Sequence, residues 1–130
     1  MERPDLSYAR VLVVDDLQTN LSMMAYMLRK YNIHVDCVSS GSEAYERMRA
    51  GEPVYHAVFI DYMMPGMDGI EAAAAIRSID TDYAKSIPLI AVTITEDESL
   101  FLKNGFQDFL QKPVNIVSLD ATVQRWIKKR

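Results

Sequence analysis

The chain has 130 residues, enough for one domain with a real core. Nearly half of them are apolar (49%) and a quarter charged (25%), the balance of a soluble globular domain. A net charge of -4, from 14 basic and 18 acidic residues, argues against a nucleic-acid binder, and no apolar stretch approaches the roughly 20 residues that span a bilayer.

Taken in chain order, Met1-Glu2-Arg3-Pro4-Asp5 lacks a signal-peptide pattern, so a cytoplasmic setting is expected. Val11 to Val14 read as a strand buried on both faces, ending at Asp15-Asp16. Leu21, Met24, Met27, Leu28 and Tyr31 recur at helical spacing and predict an amphipathic helix over Leu17 to Lys30. Ile33, Val35 and Cys37 alternate as a second strand, which predicts a buried Cys37; a lone cysteine forms no internal disulfide. Ser39-Ser40-Gly41-Ser42 turns the chain into a second helix around Ala44 and Met48, stopped near Gly51-Glu52-Pro53.

His56 to Ile60 form another continuous apolar run, ending at Asp61. Pro65-Gly66-Met67-Asp68-Gly69 is a turn-forming cluster, and Ile70 to Ile79 an Ala-rich helix. Ile87 to Val92 predict a fourth strand before Thr93, Glu96 to Lys103 a short helix ended by Asn104-Gly105, and Phe106 to Leu110 a fifth strand before Lys112-Pro113. Ile116, Leu119, Val123 and Ile127 stripe a last helix, where Trp126 is expected to pack and Lys128-Lys129-Arg130 to be solvated.

Five strands alternating with five helices predict an α/β, doubly wound parallel sheet. Ligands of such sheets sit at the carboxyl ends of the strands, where Asp15, Asp16, Asp61, Thr93 and Lys112 would gather. Three carboxylates this close repel one another, and a hard divalent cation such as Mg²⁺ relieves the repulsion. Lys112 adds a compact positive charge and Thr93 a hydroxyl. These parts suit phosphoryl transfer, with an aspartate able to act as the nucleophile. His34 and His56 fall outside this group, and Met63, Met64 and Met67 read as packing residues.

At these residues the chain resembles the receiver domain of two-component response regulators, and its run from Phe101 to Pro113 looks most like receivers fused to hybrid histidine kinases. The resemblance runs from about Ala9 to Lys128 and rests on Val13-Val14-Asp15-Asp16, the stretch Asp61 to Gly69, Ala91-Val92-Thr93 and Lys112-Pro113, in the family's order. It implies a single receiver domain over 1–130 with the flavodoxin-like (βα)5 strand order 2-1-3-4-5. It further implies that Asp61 accepts a phosphoryl group from a phosphohistidine on a histidine kinase or a histidine phosphotransfer protein. Asp15, Asp16, Asp61 and the Met63 carbonyl would hold Mg²⁺, Lys112 would contact the phosphoryl group across a cis Lys112-Pro113 peptide, and Thr93 and Phe109 would switch position together. Such a domain is a switch that catalyses only its own phosphorylation and dephosphorylation, as a monomer or weak dimer.

Two features depart from the family's pattern. Ile94 stands where a small residue is usual, and the stretch from Thr93 to Gly105 is about one helical turn short, so a stunted fourth helix is expected. Leu17 also replaces the Asn or acid that some relatives carry. A flavin mononucleotide binder on this fold would need a hydroxyl- and Gly-rich phosphate loop where Asp15-Asp16-Leu17-Gln18 stands. An Asp-nucleophile phosphatase would carry its nucleophile after the first strand, and a silent receiver-like module would have lost an acid or the lysine.

Overall fold

The apolar runs do become strands. In the computed structural model, which describes residues 2–95 and 97–128, β1 (Arg10–Val14), β2 (His34–Val38), β3 (Ala57–Asp61), β4 (Leu89–Thr93) and β5 (Asp108–Gln111) form one parallel sheet. Their order is β2-β1-β3-β4-β5, as the resemblance implied. The register sets Val14 opposite Ile60, Asp61 opposite Val92 and Thr93 opposite Gln111, so the carboxyl ends of β1, β3, β4 and β5 finish at one edge.

Helices cover both faces because every central strand is apolar on both. Leu12, Val58, Ile60, Leu89 and Ala91 point to a core shared with α2 (Gly41–Ala50), α3 (Gly69–Arg77), α4 (Asp82–Ser86) and α5 (Glu98–Lys103). The alternate residues Val11, Val13, Phe59, Ile90 and Val92 face α1 (Gln18–Arg29) and α6 (Ile116–Trp126). None of the described helices is long and apolar enough to cross a membrane.

Six helices are described where the sequence suggested five. The extra one, α4, is a five-residue element capped by the Thr81 hydroxyl, with only Ala84 buried. It is too short to show a helical stripe. The predicted shortness of the helix after Thr93 is observed: α5 has six residues. The prediction began that helix at Glu96, which lies outside the described residues, as do Lys129 and Arg130.

Cys37 corrects an expectation. It is exposed, because β2 pairs only with β1 and leaves one edge of the sheet open. Partial desolvation pushes the thiol up from its ordinary range all the same, so it is a poor nucleophile. His34 is also exposed, whereas His56 Nδ1 accepts the Arg10 N–H at 3.1 Å and its ring meets the Tyr8 ring in a T-shaped contact. Trp126 packs at the edge of the α1–α6 core and donates Nε1–H to Asp108 Oδ2 at 2.9 Å, tying α6 to β5.

Arg77 ends α3 and reaches across to the turn before β5. It donates to the carbonyls of Ala84 and Gly105 and to Gln107 Oε1, and burial lowers its pKa. α3 starts on a cap: Asp68 accepts the Glu71 N–H at 2.9 Å. Asp68→Ala is expected to lose about 1 kcal/mol of stability in urea unfolding, and an unchanged midpoint would show the cap to be idle.

Candidate phosphoryl-transfer site

Each chemical side chain is delivered by a strand that has just run out of apolar residues. Asp15 follows Val14 and is buried; its Oδ1 accepts the Leu17 N–H at 3.0 Å, turning the chain into α1. Asp16 beside it is exposed. Asp61 is the last residue of β3 and only 4% exposed. Carboxylate oxygens of Asp15, Asp16 and Asp61 lie within 4.8 Å of one another.

Lys112 closes the group from the other side. Its Nζ donates to Asp61 Oδ1 at 2.7 Å, and its backbone N–H donates to the Thr93 carbonyl at 2.7 Å. The Lys112-Pro113 peptide is cis, as the resemblance implied; Glu52-Pro53 is cis too. Burial pushes the Asp61 carboxyl above its ordinary value. The hydrogen bond and charge of Lys112 pull it down, the charges of Asp15 and Asp16 push it up, and the net direction is upward.

Thr93 is buried at the end of β4, its hydroxyl oxygen accepting the Thr95 N–H at 3.1 Å. Phe109 on β5 is half-buried. It stacks on Phe101 of α5 with ring centroids 5.9 Å apart and planes at 26°. Phe109 thus packs on the α5 side of the sheet, one strand away from Thr93. Among the three methionines of the loop after Asp61, Met64 and Met67 pack as expected, but the Met63 side chain is 66% exposed. Ile94, next to Thr93, is 73% exposed.

Sequence reading missed two contributors. Asn20, Met23, Met24 and Met27 of α1 wall a cavity of about 360 Å³ that opens on Asp61 and Lys112. Their signal is the 3–4 spacing that places them on one helix face beginning beside Asp16; Met24 and Met27 serve the core stripe and the cavity wall at once. The second is Gly69, whose N–H donates to the Tyr62 carbonyl at 2.8 Å, folding the loop after Asp61 back on itself.

A parallel 2-1-3-4-5 sheet with three carboxylates and a lysine gathered at its carboxyl edge defines a class, and comparison with known proteins gives it a family. The response regulator receiver domain model matches residues 11–124, and the chain belongs to that family. It is similar to part of hybrid signal transduction histidine kinase L of Dictyostelium discoideum, 30% identical over 132 residues, covering 96% of this chain and 8% of that one. It is similar also to part of the sensor protein GacS of Pseudomonas syringae pv. syringae, 31% identical over 90% of this chain and 13% of the relative.

Solved structures carry the same fold. The receiver domain of a sensor histidine kinase from Pseudomonas aeruginosa, described with a magnesium ion coordinated in its active site cleft, is 29% identical with a TM-score of 0.80, covering 92% of this chain and 97% of that one. The receiver domain of Saccharomyces cerevisiae Ssk1, solved with the histidine phosphotransfer protein Ypd1, is 29% identical with a TM-score of 0.80, covering 91% and 88%.

Proposed function

We propose that Asp61 is the phosphoacceptor of a two-component phosphorelay, taking a phosphoryl group from a phosphohistidine on a histidine kinase or a histidine phosphotransfer protein. The observation that carries this reading is a buried carboxylate at a strand end, paired with Lys112 at 2.7 Å and crowded by Asp15 and Asp16 within 4.8 Å. One ammonium against three carboxylates leaves negative charge unbalanced, which suits a hard divalent cation held by oxygen ligands. Asp15, Asp16, Asp61 and the backbone carbonyl of Met63 would hold Mg²⁺, which neutralises charge between the carboxylates and the phosphoryl oxygens when bound.

An Asp61 oxygen attacks phosphorus as the phosphorus–nitrogen bond to the imidazole breaks, forming an acyl phosphate. Lys112 spends one of its three N–H donors on Asp61 and has the others for phosphoryl oxygens. Thr93 turns its hydroxyl to the new dianion, giving up the Thr95 N–H, and Phe109 moves inward from its stack on Phe101. The surface of α5, β5 and α6 thereby reports phosphorylation. The domain acts as a cytoplasmic switch, monomeric or weakly dimeric, and not as an enzyme on other molecules. It binds no nucleic acid itself. Similarity to receivers of hybrid kinases suggests onward transfer to a phosphotransfer protein.

Incubation with acetyl phosphate and Mg²⁺ tests the reading. Intact mass is expected to rise by one phosphoryl group in the wild type and not in Asp61→Asn. An unchanged wild-type mass with every donor would favour a silent interaction module.

Exposed Ile94 lines the cavity that opens on Asp61, and a bulky apolar group there hinders an in-line water. Ile94→Ala is expected to shorten the phosphoaspartate lifetime roughly threefold, a barrier change of about 0.7 kcal/mol. Equal dephosphorylation rates in Mg²⁺ would refute the shielding.

A further inference from the structure

α2 opens on a glycine that its own backbone does not require. Gly41 is buried, and its φ lies outside the left-handed region, so alanine would suit the chain there and favour the helix. What excludes a side chain is space. A Cβ on Gly41 would stand 2.9 Å from Met67 Sδ, 3.1 Å from Met67 Cγ and 3.1 Å from the Ala72 Cβ of α3. Met67 belongs to the loop after Asp61, and its thioether fills the room that the missing side chain leaves.

The α2 side of this contact is held firmly. The Ser40 hydroxyl accepts the Glu43 N–H at 3.2 Å, and Glu43 Oε2 accepts the Ser39 N–H at 3.1 Å, which closes the first turn of the helix. The loop is fixed at its two ends, by Asp61 in the β3–β4 ladder and by the Gly69 N–H on the Tyr62 carbonyl. Between those ends it rests on buried Met64 and half-buried Met67, both packed in the α2–α3 core. The Met63 carbonyl lies in the same short loop. A push on Met67 or on the start of α3 therefore reaches it through a closed ring of backbone.

We infer that Gly41 is a positioning residue for the metal: by seating Met67 it sets where the loop holds the Met63 carbonyl. The inference rests on the Mg²⁺ site proposed above. Mg²⁺ takes its oxygen ligands in near-ideal octahedral geometry, so a small displacement of one ligand lowers affinity. An added Cβ in a filled core imposes such a displacement.

Calorimetric titration with Mg²⁺ tests it. Gly41→Ala is expected to weaken binding about fivefold, the share of an overpacking cost that falls on the ligands. Loading from acetyl phosphate should slow by the same factor at low Mg²⁺ and stay within about twofold of the wild type at saturating Mg²⁺. A glycine that served stability alone would not produce this split. Met67→Ala removes two of the three close contacts, so adding Gly41→Ala in that background should change Mg²⁺ affinity less than about twofold. Met67→Ala by itself unseats the loop and is expected to weaken binding about threefold, which decides the matter should Gly41→Ala not fold. Wild-type Mg²⁺ affinity in folded Gly41→Ala or in Met67→Ala, or an undiminished effect of Gly41→Ala in the Met67→Ala background, would overturn the inference. A wild-type protein that binds no Mg²⁺ would overturn the proposed metal site itself.

Discussion

Gly69→Ala is expected to lose about 2–3 kcal/mol of stability and to slow phosphorylation of Asp61 at least tenfold, a barrier increase of about 1.4 kcal/mol. Gly69 opens α3, where alanine is intrinsically the better residue by about 1 kcal/mol, so local propensity predicts a gain. The surroundings reverse the sign. A Cβ on Gly69 would stand 2.8 Å from the Asp61 carbonyl oxygen and 2.8 Å from the Tyr62 Cα. Both are backbone atoms of the strand end that carries the reactive carboxylate, so relief of the clash must move Asp61, Tyr62 or the whole start of α3. Gly66→Ala separates this effect from ordinary strain. Gly66 has φ of 79°, and a methyl group added there would meet nothing within 4 Å, so alanine carries about 1 kcal/mol of left-handed strain and no collision. Urea unfolding and initial loading rates on both variants decide the matter. Wild-type loading in Gly69→Ala would show that the strand end tolerates the shift.

The sheet was legible because strands buried on both faces must be apolar throughout, and Val11 to Val14 and Ala57 to Ile60 can serve no other purpose. The boundaries slipped for an instructive reason. Reading by hydrophobicity ends a strand at its last apolar residue, whereas the hydrogen-bonded ladder runs on through Asp61 and Thr93. Those two residues are therefore fixed by the sheet and not by a loop. That Asp15, Asp16, Asp61 and Lys112 would gather was legible because charge at the end of an apolar run has few structural reasons to be there. Cys37 was misread since alternation gives a side of the sheet but not whether a helix closes over an edge strand. α4 and the span of Arg77 from α3 to Gly105 depend on contacts between distant segments, which no local pattern encodes. Gly69 sat in plain view within a turn cluster, but only the folded backbone shows what its missing side chain makes room for.

Asp61→Asn is expected to raise the stability of the metal-free protein at pH 7 by about 1 kcal/mol and to erase most of the stabilisation that Mg²⁺ confers on the wild type, about 2.7 kcal/mol at a hundred times the dissociation constant. Two like charges within 4.8 Å of each other repel by about 3 kcal/mol or more at an effective dielectric of about 20. The 2.7 Å contact with Lys112 offsets much of this, and an asparagine oxygen still accepts that N–H, so the gain is smaller than the bare repulsion. The pH dependence fixes the cause. The folded Asp61 pKa lies above the ordinary 3.8, so the folded state holds this proton more tightly than the unfolded chain. Its contribution to stability is full below 3.8 and is lost as pH rises through the raised folded value. The advantage of Asp61→Asn should therefore be small at about pH 3.5, grow across that window and level off above it, provided no metal is present. Thermal melts of both proteins with chelator and with Mg²⁺, at several pH values, read all three effects. A lower melting temperature for metal-free Asp61→Asn at pH 7 would mean that the pair with Lys112 outweighs the crowding. The site would then be stable without its cation, and the uncompensated charge that argues for Mg²⁺ would lose its force.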